Sequence, residues 1–365
     1  MSRNIVYYKK KVIIMNKKYY DGTNLLNMKD IDNKVPEIYI VTTNRTGGKT
    51  TYFNRLCINR FLKQGKKFCL LYRYQYELEQ VSEKFFKDIK TLFFNDYIME
   101  EKKLGKSGFK ELFIGKNKEH INSCGYAISL NASDNVKKYS HFFNDTELIL
   151  FDEFQTESNR YINDEVGKLL SIHTSLARGN GKQVRYLPVF MLANQVTLLN
   201  PYYSALGIAE RINSKTHFLR GNGWVLETDF IESASNAQKE SAFNRAFENH
   251  RYTSFSSENN YLLDNYAFIE RPHGRSRYIC TFKVDGNSFS IREFPDSGIL
   301  YCDDKFDKDF PTKIAVTLDD HSINYVMLSS NNALVSFLRD CFQKGRFRFK
   351  NANAKNACIS FLSFH

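Results

Sequence analysis

The sequence predicts an α/β chain: a three-layer domain on a mostly parallel sheet, a small linker, and a smaller region that opens as an antiparallel meander. Three observations predict it. Between Ile38 and about Val196, short apolar and β-branched runs alternate with segments whose apolar residues recur at helical spacing, the pattern of strands joined by right-handed crossovers. Within that region a glycine-bearing turn follows the first run, and a later run ends in two adjacent carboxylates. From Tyr266 onward the runs are strand-periodic and are parted by Gly and Asp turns. The expected boundaries are an N-terminal arm over 1–35, an α/β domain over 36–205, a linker or hinge over 206–260, and a C-terminal domain over 261–365.

The first run carries the strongest chemistry. Ile38 to Arg55 reads IYIVTTNRTGGKTTYFNR, a strand ending near Thr42, a turn, Lys49, and a segment that can be helical. Backbone N–H groups in such a turn hold an anionic phosphate chain, and the dipole of the following helix favours the charge. In this reading Thr43, Asn44, Arg45, Thr46, Gly47, Gly48 and Thr51 form the loop. Lys49 reaches the β- and γ-phosphates of ATP, and the Thr50 hydroxyl is a Mg²⁺ ligand. Against the pattern G-x-x-x-x-G-K-[ST], Thr43 stands where the first glycine belongs, while Gly47 and Gly48 supply backbone freedom. The plain alternative is a strand, a Gly-Gly turn and a helix with an incidental lysine. Residues 1–35, polar and basic, precede the loop as an arm or partial cover for the nucleotide base.

The next elements are a strand at Phe68 to Tyr72 and a helix through Leu78 to Leu92. An irregular stretch follows from Glu100 to Tyr139, rich in lysine (Lys102, Lys103, Lys106, Lys110, Lys116, Lys118, Lys137, Lys138), and reads as a solvated loop or a DNA-facing one. Thr146 to Phe151 is an apolar strand that delivers Asp152 and Glu153 at its C-terminal edge, about a hundred residues after the loop. Beside a phosphate loop the first acid holds Mg²⁺ and the second orients and deprotonates the attacking water. Asn163 to Leu176 has helical spacing and stops at ARGNGK, where Arg178 is placed like an arginine finger crossing to a neighbouring subunit; a dipole partner at a helix end is the alternative. Val189 to Ala193 is a buried-type strand ending at Asn194, a side chain able to sense the γ-phosphate or merely to close a turn.

Beyond Pro201 the character changes. Ser233 to Asn249 reads as a polar helix of a hinge. YAFIE, RYICTFKV, NSFSIREF and GILYCDD then alternate around Gly274, Asp285-Gly286 and Asp296-Ser297-Gly298, an antiparallel meander. A helix near Asn331 to Gln343 leads to Lys344 to Lys350, where charge and aromatic alternate with strand period. Such a strand can lie on nucleic acid or an acidic surface, or protect a sheet edge. Asp264, Glu270, Asp285, Asp303, Asp304 and Asp307 are numerous enough for a two-metal nuclease site, although turns are the commoner use of Asp.

Composition narrows the partners. A hydrophobic fraction of 42% with both charge signs throughout describes a globular chain, and 365 residues suffice for two cores. The formal net charge of +12 points to a polyanion, most economically nucleic acid, although A/T-rich coding could also raise lysine. The seven cysteines include no C-x-x-C pair and read as reduced thiols in a cytosol. Val12 to Met15 is too short an apolar run for a signal or a membrane span.

The residues resemble the DNA-encapsidation proteins of small podoviruses of the picovirus type. The likeness rests on INRFLKQGKKFCLLYRYQYEL (Ile58 to Leu78), LILFDEF (Leu148 to Phe154), YINDEVGKLL (Tyr161 to Leu170), LANQVTLLNPYY (Leu192 to Tyr203) and FIERPHGRSRY (Phe268 to Tyr278). It covers most of the chain and begins near Met15, so residues 1–14 are expected to be an extension or an upstream start. The resemblance implies a packaging motor of the ASCE class of P-loop ATPases, assembled as a ring, pentameric in its best-known form. Double-stranded DNA and the capsid portal are the implied partners, with a structural RNA as a further candidate, in the host cytoplasm and without a membrane. It also implies a small linker domain and a C-terminal domain of ribonuclease-H-like fold with its nuclease activity lost. Position by position, Lys49 and Thr50 fall on the phosphate-loop pair and Arg45 on an arginine within that loop. Asp152 and Glu153 fall on the metal-holding and water-activating acids, Arg178 on the residue offered to the adjacent subunit's nucleotide, and Asn194 on the coupling position. The rivals are a terminase-like ATPase with an active nuclease, and a nucleic-acid- or portal-binding adaptor whose nucleotide site is not catalytic.

Overall fold

The computed structural model describes residues 18–104, 108–116, 121–158, 160–179, 181, 183–197, 200–208, 211–212, 216–247, 268–327 and 333–363. They fall into two compact units. The first takes the described residues up to Val196 and those between Ile212 and Leu262; the second takes those of Thr197–Arg211 and those from Leu263 on.

The first unit opens with α1 (Thr23–Asn27), β1 (Ile38–Thr43), α2 (Lys49–Gln64), β2 (Lys67–Tyr72) and α3 (Val81–Phe93). Five of the six β1 residues are buried, as expected of a central parallel strand. α2 starts after Gly48 and stops at Gly65, which takes φ 68° and donates its N–H to the Phe61 carbonyl. α3 buries Val81, Phe85, Phe86 and Ile89, one stripe of a 3.6-residue period. Residues 18–35 are more than an arm: Tyr20 and Leu25 are buried in the same core as Phe53 and Phe190. Residues 1–17 lie outside the described residues.

Three strands follow, β3 (Ile98–Leu104), β4 (Phe109–Gly115) and β5 (Ile121–Ser129), then α4 (Ser133–Lys138), β6 (Thr146–Asp152), α5 (Glu165–Leu176) and β7 (Val189–Asn194). The stretch Glu100 to Tyr139 is thus largely sheet, not an irregular loop. Its lysines hide the strand period because several are paired: Lys102 stands opposite Glu111, and Lys110 reaches Glu101 at 2.8 Å. β5 needs Gly125, since a Cβ there would stand 2.2 Å from the Phe68 carbonyl oxygen on the neighbouring strand. Lys106 and Lys118 lie outside the described residues.

After α6 (Pro201–Ala205), which groups with the second unit, come β8 (Phe218–Gly221), β9 (Trp224–Asp229), α7 (Glu232–Glu240) and α8 (Ala242–Ala246). The segment 206–260 was expected to be a separate linker, but β9 pairs in parallel with β1 and β8 closes the edge. Val225 and Leu226 are fully buried there, and that burial ties the segment to the sheet. Residues 248–260 lie outside the described set.

The result is a nine-stranded sheet in the order β3-β4-β5-β2-β6-β7-β1-β9-β8. The run from β5 to β9 is parallel, with antiparallel β4 and β8 beside it. Alternate residues of the central strands, such as Val41 and Leu192 on one face and Ile40 and Met191 on the other, are all buried, so both faces are covered. No helix among the described residues is long and apolar enough to cross a membrane.

The second unit holds a six-stranded sheet. Its antiparallel meander is β10 (Arg277–Val284), β11 (Asn287–Phe294) and β12 (Ile299–Asp303), as the sequence pattern predicts. Asp285 and Gly286, with φ 50° and 79°, make the first tight turn. β13 (Lys313–Ala315) and β14 (Val326–Met327) extend one side in parallel, and β15 (Phe347–Phe349) pairs in parallel with β12. α9 (Ala333–Gln343) and α10 (Ala352–Ser363) contribute Leu338 and Phe361 to its core. β15 buries Phe347 and Phe349 and leaves Arg348 outward, the predicted one-faced strand at a sheet edge. Asp264, Tyr266 and Asn331 lie outside the described residues.

Candidate functional site

The site stands at the C-terminal ends of β1, β6 and β7, where ligands of open α/β sheets bind. β1 ends at Thr43, level with Asn194 at the end of β7. The loop from Asn44 to Gly48 then turns into α2, with positive φ at Thr46 (60°) and Gly48 (90°) and not at Thr43. This explains how a threonine replaces the expected first glycine: strand geometry continues through that position. The Thr43 hydroxyl donates to the Asn44 carbonyl at 2.9 Å, and the small residue is required at Gly47 instead. A Cβ on Gly47 would lie 3.0 Å from Ile231 Cγ1 and 3.1 Å from Thr43 Oγ1.

Lys49 is buried and donates from Nζ to Asn194 Oδ1 at 2.6 Å. The Thr50 hydroxyl donates to Asp152 Oδ2 at 2.7 Å, and the other Asp152 oxygen accepts the Glu153 N–H at 2.9 Å. Glu153 sits at φ 58°, a left-handed backbone that turns the chain sharply off the sheet. Arg45 pairs with Glu157 at 2.5 Å. Arg45, Thr46, Lys49, Thr50, Asp152, Glu153 and Asn194 line one cavity of about 290 Å³ with Ala193, Gln238 and Asn244.

The electrostatics favour an anion and a proton acceptor. Burial pushes Lys49 below the usual lysine range, against the pull of Asp152 and Glu153. Glu153 is exposed at the cavity mouth, yet partial desolvation raises it above the usual glutamate range, helped by Asp152, Glu77 and Glu157 and opposed by Lys49. The Thr50 and Asp152 oxygens are hard donors 2.7 Å apart, close to the ~3 Å between adjacent ligands of an octahedral ion with ~2.1 Å bonds. Among the described residues no three His, Cys, Asp or Glu side chains gather as a metal site. A cation here would complete its shell with phosphate and water oxygens, which is the habit of Mg²⁺.

Two loop residues expected at the site sit behind it, since Thr43 and Asn44 are buried; Thr51, half-buried on α2, lies outside the cavity lining. Arg178 is elsewhere in this chain: it is exposed after α5 and lines a separate depression with Lys137 and Thr174. Sequence reasoning overlooked Glu157, Gln238, Asn244 and Arg73. Arg73 follows β2, and its buried guanidinium contacts Glu165 at 2.9 Å while donating to the carbonyls of Glu153 (3.2 Å) and Phe154 (2.8 Å). The strand-end position that singled out Asn194 also holds for Arg73. Gln238 and Asn244 carried no such signal, because they come from the presumed hinge. Of the carboxylates read as a possible nuclease site, the described ones are engaged in ion pairs and turns: Asp303 and Asp304 face Lys350, Glu270 pairs with Arg348 at 2.5 Å, Asp285 shapes a turn, and Asp307 accepts the Asp309 N–H at 2.9 Å.

The model of the podovirus DNA encapsidation protein (Gp16) family matches residues 15–363. The chain belongs to that family. Among curated family relatives, the DNA packaging proteins of Bacillus phage PZA and Bacillus phage phi29 are each 26% identical over 315 residues, covering 85% of this chain and 88% of theirs. Of solved structures, a chain of the bacteriophage phi29 genome packaging motor assembly superposes with a TM-score of 0.68 at 22% identity, over 94% of this chain and 98% of that one. The phi28 gp11 DNA packaging motor superposes at 0.56 and 18% identity, over 96% and 99%. These likenesses establish a shared fold along nearly the whole chain.

Proposed function

We propose that this DNA encapsidation protein is a motor ATPase that couples ATP hydrolysis to translocation of double-stranded DNA into a preformed capsid. The observation that carries this is the convergence of Lys49, the Thr50–Asp152 pair, Glu153 and Asn194 in one cavity at the end of a parallel sheet. Lys49, now on Asn194, moves its charge to the β- and γ-phosphates. Thr50 and Asp152 would hold Mg²⁺, whose chemistry there would be to neutralise charge on those phosphates. Glu153, with its raised affinity for a proton, would take one from the attacking water as that water adds to the γ-phosphorus and the bond to the β,γ-bridging oxygen breaks, the bridging oxygen leaving on ADP and the γ-phosphoryl group as phosphate. Asn194, released by Lys49, reports the γ-phosphate to β7.

Arg178 completes the site of the adjacent subunit in a ring, which accords with its exposure and its distance from its own chain's cavity. The ring is a pentamer docked on the capsid portal in the host cytoplasm, where a structural RNA is a candidate bridge, and basic surfaces grip DNA phosphates without regard to sequence. The second unit, a meander extended by parallel strands and backed by helices, is a ribonuclease-H-like scaffold whose carboxylates now serve turns and ion pairs. Incubation of the protein with DNA and Mn²⁺ is expected to give no cleavage.

The test is ATP turnover with and without duplex DNA for wild type, Glu153→Gln and Arg178→Ala. Turnover is expected to fall by about 100-fold or more in both variants. Equal rates in all three contradict the assignment.

A further inference from the structure

We infer that Gln238 is a nucleotide-contacting residue that distinguishes ATP from ADP, and that Asn244 positions it. The inference rests on the ATP site proposed above and adds a part of the chain that the phosphate-loop motifs do not predict. Gln238 lies on α7 and Asn244 on α8, within a polar segment that reads from sequence as a hinge. Their side chains are half-buried while Ala237, Lys239, Phe243 and Arg245 around them are exposed. Both line the cavity that holds Lys49, Glu153 and Asn194, the groups placed to surround a terminal phosphate.

The segment is anchored to the phosphate loop at its start. Asn44 accepts the Ile231 N–H at 2.9 Å and donates to the Ile231 carbonyl at 3.1 Å, so its carboxamide clasps both backbone groups just before α7. From that anchor the chain returns over the loop. Gln238 Nε2 donates to Thr46 Oγ1 at 3.4 Å, a long bond that an anion can replace at little cost. Asn244 Nδ2 donates to Gln238 Oε1 at 2.6 Å and to the Gln238 carbonyl at 2.8 Å. With its oxygen occupied by Asn244, the Gln238 amide turns its NH₂ towards the phosphate loop. An anion in the cavity therefore meets a donor and not a carbonyl dipole.

Because the same cavity contains the water-activating Glu153 and the Lys49–Asn194 pair, the phosphate that Gln238 meets is the terminal one. ADP lacks it. Hydrolysis and phosphate loss would return the Gln238 amide to Thr46, leaving α7 and α8 tied to the loop through Asn44 and Thr46.

The experiment is equilibrium binding of ATP in Ca²⁺ without turnover, and of ADP, to the full chain carrying Gln238→Ala, Gln238→Lys, Asn244→Ala or Lys49→Ala. One charge-assisted hydrogen bond corresponds to about tenfold in affinity. Gln238→Ala should weaken ATP about tenfold and leave ADP within about twofold, and Gln238→Lys, which restores a donor, should recover ATP binding. Asn244→Ala should shift the ATP/ADP ratio in the same direction by a smaller factor. Wild-type affinities for both nucleotides in Gln238→Ala overturn the inference, as does an equal loss on both, which is the signature of a structural role. If wild type and Lys49→Ala bind ATP equally poorly, the ATP site itself is refuted, and the two failures are told apart by the wild-type measurement.

Discussion

Among single residues, Glu153 and the pair Thr43 and Gly47 carry the sharpest consequences. Glu153 binds its proton more tightly in the fold than in the unfolded chain. Its contribution to stability is therefore present below the unfolded pKa and is lost as pH rises through the folded one, so at neutral pH the ionised carboxylate costs stability. Glu153→Gln should raise Tm at pH 7.5 while abolishing turnover, with the gain shrinking in acid; a lower Tm at pH 7.5 contradicts this. Turnover of the wild type should decline on acidification at a higher pH than an unperturbed glutamate would give. Gly47→Ala should cost about 1 kcal/mol, since its Cβ meets Ile231 and Thr43, and Thr43→Gly should restore part of the loss in a double-mutant cycle measured by urea unfolding. The positions that meet in the cavity were legible in sequence: Asp152, Glu153 and Asn194 because strand ends are visible as the last residues of apolar runs, and Lys49 and Thr50 because they follow a Gly-Gly turn. The Thr43 exchange was visible but not interpretable, because the strand geometry that admits a threonine there comes from pairing with Asn194 and Asp229, both distant in sequence.

At the scale of elements, Arg73 fastens β2 to the turn after β6. Its guanidinium holds the buried Glu165 at the start of α5 and the carbonyls of Glu153 and Phe154. Arg73→Met should destabilise the chain by about 3 kcal/mol, because it strands a buried carboxylate. Adding Glu165→Met should recover most of the stability, since an apolar pair of similar size replaces the ion pair. Turnover should not recover, because the two carbonyls stay unbound and Glu153 loses its support; recovery of both refutes the positioning role. The parallel core and the C-terminal meander were legible from period alone. β3 and β4 were not, because Lys102 and Lys110 read as part of a solvated lysine run when their partners Glu111 and Glu101 are counted separately. β9 was missed for the opposite reason: Trp224 to Asp229 is a short run whose parallel partner β1 lies far back in the chain, and no local pattern announces such a pairing.

At the scale of the whole molecule, a net charge of +12, a nucleotide-type site on a parallel sheet and membership of a DNA encapsidation family describe one machine. Sequence patterns told of two cores but placed their boundary wrongly, since residues near 201–205 group with the second unit and β8 and β9 with the first. Contacts between distant segments decide such grouping, and composition does not record them. In the proposed mechanism, chemistry at Glu153 drives DNA into the capsid. The most direct measurement is the amount of double-stranded DNA protected from nuclease when empty capsids, ATP and this protein are combined, with wild type compared with Glu153→Gln. Wild type should protect genome-length DNA, and Glu153→Gln should protect none while still binding ATP. Equal protection by the two proteins would contradict the account.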